Sequence, residues 1–371
     1  MNTLRLIVSI LFALTTLPIF SQGEKPPVRL AIAGLVHVHV HGFLPRALNN
    51  PAVKLVGIVE PDKQLVAQCV ETYKLDPALF FPTLEELIAK TEVQAVAAFT
   101  STFDHRKVVE TCAAKKIHVM METPLAVNME HAKAMESAAK QGGVHLLVNY
   151  ETTWYAGNHA AHKMVRENAI GEVRKIVVHD GHQGPQEIGC PPEFLKWLTD
   201  PVQNGGGALT DFGCYGANLM TWLMEGQRPL SVFAVTQQLK PEIYPNVDDE
   251  ATIVLTYPKA QGIIQASWNW PYNRKDMEIY GQTGYVMVPR SNTLRVLQGE
   301  RSERQSNVPA MTGPEADPVA YLAAVARGEL KPSGLSSLET NITVVEILDA
   351  ARESAATGKR IDLPRDGPQT K

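Results

Sequence analysis

The sequence predicts an α/β protein: an N-terminal parallel sheet wrapped by helices, followed by a C-terminal α+β domain on a mostly antiparallel open sheet. Three observations carry this. Short apolar runs alternate with helix-length stretches over 28–148, and strands separated by helices pair in parallel through right-handed crossovers. After about Tyr150, strand-like runs follow one another across short turns, the pattern of antiparallel pairing. The chain has 371 residues, 44% hydrophobic and 20% charged, enough for two cores. The expected organisation is a leader over 1–21, a first domain over 22–150 and a second over 151–371.

The leader has Arg5 as its positive end and an apolar run over 6–20, then small Ser21 before polar Gln22-Gly23-Glu24-Lys25. The run is shorter than the roughly 20 residues of a membrane span. It predicts an export signal cut near Ser21–Gln22 and a periplasmic mature chain, the alternative being a retained anchor. Net charge is −4, from 35 basic and 39 acidic residues with no basic block, so no nucleic-acid partner is expected. Cys69, Cys112, Cys190 and Cys214 form no CxxC, which excludes a disulfide framework and a zinc finger.

In the first half, strands are expected at 28–34, 53–59, 93–99, 117–121 and 144–148, with a helical stretch through Phe43, Leu44, Ala47 and Leu48 that stops at Asn49-Asn50-Pro51, and helices at about 63–73, 105–116 and 129–141. Ligands of parallel sheets sit at the carboxyl ends of the strands. Gly34, Glu60, Thr100, Glu122 and Asn149 fall at such ends and predict one pocket rim. In the second half, helices are expected at 157–168, from the Gly205-Gly206-Gly207 entry to 224, at 318–327 and at 337–357. Strands are expected at 172–179, 230–237, 250–257, 261–269, 276–280 and 285–288.

Six motifs then occur in order. They are Ala31-Ile32-Ala33-Gly34, Gly57 to Asp62 (GIVEPD), Thr100 to His105 (TSTFDH), His118 to Ala126 (HVMMETPLA), Gly205 to Tyr215 (GGGALTDFGCY), and the closing helix and turn from Ala350 to Leu363. Together the chain resembles the Gfo/Idh/MocA family of glucose–fructose oxidoreductases and inositol dehydrogenases over nearly all of its mature length. The resemblance implies a Rossmann-type nucleotide domain, NAD or NADP, and a small-molecule carbohydrate substrate. It implies a cofactor site at Gly34, Val36, His37, Glu60, Thr100, Ser101, His105, Glu122, Thr123 and Pro124, and a substrate site at Thr123, Asn149, Tyr150 and Asp180. Asp211 and Tyr215 match the family's substrate-binding Asp and catalytic His or Tyr. A homo-oligomer is expected, because exposed sheet faces of such folds commonly pair subunits.

Two departures stand out. The family's GxGxxG reads Gly34-Leu35-Val36-His37-Val38-His39 here, and Val36 replaces the glycine that lets the backbone approach a pyrophosphate. Glu60 at the second strand end is the expected ribose acceptor; its charge opposes a 2′-phosphate and favours NAD over NADP. Thr123 replaces the lysine between the family's Glu and Pro. A threonine hydroxyl is not a base near neutral pH, so the proton acceptor must come from elsewhere. Tyr215 is one candidate, if a cation lowers its pKa from about 10. His182 is the other, with Asp180 on the same face of its strand.

No metal is expected. The alternative is zinc at His37 and His39, within His37-Val38-His39-Val40-His41, for which a carboxylate must complete the site. Tyr150, Trp154, Trp197, Trp268 and Trp270 offer weak support for sugar stacking. Free nicotinamide cofactors are expected to be scarce outside the cytoplasm. The leading reading is therefore an exported NAD-dependent sugar or glycoside oxidoreductase with a tightly held cofactor and a closed redox cycle. The alternative is a catalytically degenerate sugar-binding protein on the same fold.

Overall fold

In the computed structural model, residues 25–299 and 302–364 are described; the expected leader lies outside them. Among the described residues no helix is long and apolar enough to cross a membrane.

The first half is a six-stranded sheet. Its strands are β1 (Val28–Ala33), β2 (Val53–Val59), β3 (Phe80–Phe81), β4 (Ala95–Ala98), β5 (His118–Met121) and β6 (Leu146–Val148). They run in the order β3-β2-β1-β4-β5-β6, all neighbours parallel. Helices α1 (Val40–Asn49), α2 (Lys63–Tyr73), α3 (Leu84–Lys90), α4 (His105–Ala113) and α5 (Met129–Gly142) connect them. This is the doubly wound arrangement, whose order reverses between β1 and β4 and so opens a crevice at their carboxyl ends. The central strands are buried on both faces, hence their unbroken apolar runs.

The second half begins with α6 (Ala156–Arg166), β7 (Val173–Gly181) and α7 (Pro192–Leu198), then α8 (Ala208–Asp211) and α9 (Gly213–Leu223). Its further strands are β8 (Ser231–Gln237), β9 (Glu250–Thr256), β10 (Gln261–Ser267), β11 (Arg274–Gly281), β12 (Gly284–Arg290), β13 (Thr293–Gln298) and β14 (Arg304–Asn307). Then come α10 (Pro318–Ala326), α11 (Leu338–Thr357) and β15 (Ile361–Asp362). The nine-stranded sheet runs β14-β13-β12-β11-β7-β10-β9-β8-β15. Every neighbouring pair is antiparallel except β7 with β10. The fold is thus the predicted one; β3, α3, α7, β13, β14 and β15 are additions to the expected elements.

One C-terminal helix crosses back. Val319, Leu322, Ala323 and Val325 of α10 are buried in one cluster with Leu30 and Ile32 of β1 and Val40, Phe43 and Leu44 of α1. The outer layer of the nucleotide-side sheet is completed by residues far along the chain. Truncating Leu322, which is fully buried, to alanine is expected to cost about 2–5 kcal/mol. Denaturant titration checks this; a loss of less than about 0.5 kcal/mol, typical of a surface site, would mean that α10 is not part of that core.

Candidate active site

β1 ends in Gly34, whose φ is +87° and whose added Cβ would lie 2.8 Å from the Phe99 carbonyl oxygen. Only glycine meets both conditions. The following loop is braced by Glu60 at the end of β2. One carboxylate oxygen accepts from Leu35 N at 2.8 Å and the other from Asp62 N at 2.9 Å. Glu60 is therefore a buried brace of the loop as well as an acidic strand end. His37 N donates to Phe99 O at 3.1 Å, while Val36 N and Val38 N make no hydrogen bond among the described residues. Two amides at the head of α1 thus stay open to an anion. α7 closes over this loop. Trp197 Nε1 donates to Val36 O at 3.3 Å, and the His37 ring packs 5.1 Å from Phe194 and 5.4 Å from Trp197.

Beyond β4, the methyl group of Thr100 lies against Gly34 and Ser101 Oγ donates to Asp104 at 2.8 Å. His105 is buried, with Nδ1 on the Leu125 carbonyl at 3.2 Å; it ties the head of α4 to the segment after β5. In that segment the Thr123–Pro124 bond is cis. Glu122 is only 1% exposed. One of its oxygens pairs with His39 Nδ1 at 2.8 Å and the other accepts from Asn149 Nδ2 at 2.8 Å. Asn149 Oδ1 in turn accepts from Trp154 Nε1 at 3.0 Å. His39, Asn149, Glu151, Trp154 and Tyr155 border an open cleft of about 550 Å³, lined also by Ser291 and Pro318.

The remaining candidates gather around a cation that no motif announced. Lys275 on β11 sits opposite Asp180 of β7. It forms an ion pair with Glu151, and its Nζ lies 4.7 Å from the Tyr215 ring centre. Tyr155 Oη donates to the other Glu151 oxygen at 2.5 Å. Asp180 is fully buried with neither oxygen hydrogen-bonded, and burial holds its carboxyl well above the usual range. Asp211 accepts from Trp268 Nε1 at 2.9 Å. Burial raises it to about 6, against the opposing pull of Trp268, Lys275 and His39.

Neither expected proton acceptor is suited to the task. Burial pushes the Tyr215 phenol well above its ordinary value, so at neutral pH it is a neutral hydroxyl that donates. Its ring also packs edge-on to the buried Tyr150, 5.1 Å away. Burial lowers His182 to about 4, helped by Lys275. Its Nδ1 lone pair accepts from Gly184 N at 3.0 Å, which leaves the proton of the neutral ring on Nε2. Thr123 is buried beside Cys214. The glycine entry to α8 is held by Asp248, which accepts from Gly207 N at 3.0 Å and Leu209 N at 2.7 Å. This brace fixes the start of the helix that carries Asp211.

Comparison with known proteins agrees with the geometry. Residues 28–150 match the model of the oxidoreductase family with an NAD-binding Rossmann fold, and 158–287 match the GFO/IDH/MocA C-terminal domain. The chain belongs to the GFO/IDH/MocA oxidoreductase family. Among relatives of this family, trans-1,2-dihydrobenzene-1,2-diol dehydrogenase of Xenopus tropicalis is 25% identical over 315 residues, covering 81% of this chain and 90% of that one. The 1,5-anhydro-D-fructose reductase of Ensifer adhaerens is 30% identical over 144 residues, 38% of this chain and 41% of that one. In structure, aldose-aldose oxidoreductase of Caulobacter crescentus with glycerol superposes with a TM-score of 0.76 at 23% identity, covering 91% of this chain and 100% of that one. An inositol dehydrogenase homologue of Azotobacter vinelandii with NAD+ gives 0.79 at 18% identity, covering 91% and 97%.

The first domain is the family's NAD-binding Rossmann domain, and the residues present fit that cofactor. Gly34 makes the turn, two amides at the head of α1 are open, and Glu60 with Asp62 places two carboxylates at the end of β2. A 2′-phosphate would face that pair. NAD is expected to bind about tenfold or more tightly than NADP, a difference of roughly 1–3 kcal/mol. Parallel calorimetric titrations check this, and equal affinities would remove Glu60 and Asp62 from the ribose end.

Proposed function

We propose that the protein is an exported NAD-dependent oxidoreductase of a sugar or glycoside, in which Asp211 takes the proton of a substrate hydroxyl and Lys275 supplies the positive charge. Thr123 removes the family's lysine; Lys275 brings a cation into the same group of acids from the opposite sheet. That replacement, Lys275 among Glu151, Asp180 and Asp211, is the observation that supports an enzyme over a degenerate binding protein. The polyhydroxylated compounds in the names of the relatives support a sugar-like substrate.

Held by the Gly34 turn, the head of α1 and the carboxylates at the end of β2, NAD would supply hydride chemistry at a carbinol carbon. The chain's own residues hold the substrate and move the proton. A base works best with a pKa near the operating pH, and Asp211 at about 6 meets this. Trp268 Nε1 fixes the orientation of one oxygen, leaving the other for the substrate hydroxyl. Asp180, kept neutral by burial, lies beneath the site opposite Lys275 and leaves the ammonium to the other acids. Tyr215 and His182 Nε2 complete the hydrogen-bonding surface as donors. The His37 loop beneath α7 favours a cofactor that leaves slowly, which suits a closed cycle that oxidises one carbon and later reduces it.

Mature protein purified without added nucleotide is expected to release about one NAD(H) per chain on denaturation. If none is released, and NAD at about a hundred times any reasonable dissociation constant fails to stabilise the fold by about 2.7 kcal/mol, the protein is a binding protein. Asp211→Asn should lower turnover by about a hundredfold or more with NAD binding retained. The deprotonated carboxylate is the active form, so wild-type turnover rises with pH through about 6. Lys275 pulls that value down, so Lys275→Met should move the limb to higher pH. A limb that stays in place in Lys275→Met, together with full turnover in Asp211→Asn, removes both residues from proton transfer.

A further inference from the structure

We propose that His37, His39 and Glu122 bind a divalent transition-metal ion, zinc foremost, where the head of α1 meets the cleft. Their donor atoms all lie within 4.8 Å of one another. Residues two apart in a helix point away from each other, yet here the rings converge, with centres 4.6 Å apart. The reason is local. The stretch from 37 to 39 is a turn that precedes α1, and His39 N donates to His37 Nδ1 at 3.2 Å, which folds one ring back over the other. Glu122 arrives from the end of β5 and closes the triangle with its oxygen 2.8 Å from His39 Nδ1.

The donor set decides the class of ion. Two imidazoles and one carboxylate suit zinc and its neighbours, while magnesium and calcium prefer all-oxygen shells. Three protein ligands leave a fourth position open, the composition of a site that takes water or a substrate oxygen. His37 is walled by Phe99, Phe194 and Trp197, whereas His39 borders the cleft, so the open position faces the cleft. An outer shell is already built. Asn149 holds the second Glu122 oxygen and is held in turn by Trp154, the kind of support that orients metal-binding carboxylates. No lysine or arginine pairs with Glu122 among the described residues. By contrast, the similar group His179, Asp276 and Glu278 has Arg274 bonded to both Asp276 oxygens, at 2.8 Å each, and is satisfied without an ion.

The test uses the full mature chain, stripped with a chelator and titrated with Zn2+ by calorimetry and with Co2+ by absorption. One saturable equivalent and the intense visible bands of four-coordinate cobalt are expected. His39→Ala and the near-isosteric Glu122→Gln should each weaken Zn2+ binding by about a hundredfold or more. Asn149→Ala, which removes only a positioning residue, should weaken it by about tenfold. His41→Ala should bind as wild type, because His41 is turned away onto the Tyr73 hydroxyl. Melting curves of the stripped proteins show that each variant folds, and a fixed Zn2+ concentration should raise the melting temperature of wild type and His41→Ala equally, of Asn149→Ala less, and of His39→Ala and Glu122→Gln least. Absence of saturable binding by wild type, or unchanged affinity in folded His39→Ala and Glu122→Gln, would overturn the site.

Discussion

The arrangement of the cleft depends on one buried carboxylate. Glu122, at the end of β5, bonds His39 before α1 on one side and Asn149 after β6 on the other. Asn149 passes the connection to Trp154, in the short turn that leads into the second sheet. Two strand ends, one helix head and the interdomain crossing are thereby set by a single side chain. A carboxylate buried this deeply is costly unless its oxygens are occupied, so His39 and Asn149 are held in position as firmly as Glu122 itself. The loop after β1 is organised in the same way by Glu60, whose oxygens fix Leu35 N and Asp62 N.

Charge in the second half of the site follows from burial. Asp180 and Asp211 are pushed upward because water has been excluded, and Lys275 is the cation placed among them. Its ion pair with Glu151 keeps it from being an isolated buried charge. This division produces a neutral acid, a carboxylate near its titration point and a fixed positive charge within one enclosure. Strongly perturbed carboxyls beside a fixed cation are typical of acid–base sites. The family's usual lysine comes from the loop after β5, so an ammonium group from β11 reaches the same enclosure from the opposite wall.

Much of this was legible in the sequence. Alternating apolar runs and glycine punctuation placed the strands of the parallel sheet, and HVMMETPLA and GGGALTDFGCY placed Glu122 and Asp211. What escaped had no local signal. Lys275 faces Asp180 through the register of β7 and β11, and register is a property of the assembled sheet. Asp248 braces the glycine entry across a turn between sheet strands. β14 is exposed along its whole length, so it lacks the apolar alternation by which strands are recognised. Tyr215 and His182 are the proton acceptors that the sequence suggests, but their protonation is set by burial and by one backbone amide, neither of which periodicity reveals. The convergence of His37 and His39 required the turn before α1 to be seen.

The return of α10 to the first sheet bears on how the chain is made. β1 and α1 are made before the second sheet, yet the helix that covers them follows only after strands β7 to β14. Until Val319 and Leu322 appear, part of the apolar face of the nucleotide-side sheet has no native cover. Such a surface is a target for holding chaperones and an invitation to aggregation. The two halves are therefore not consecutive folding units, and the first becomes complete only after most of the second sheet has been made.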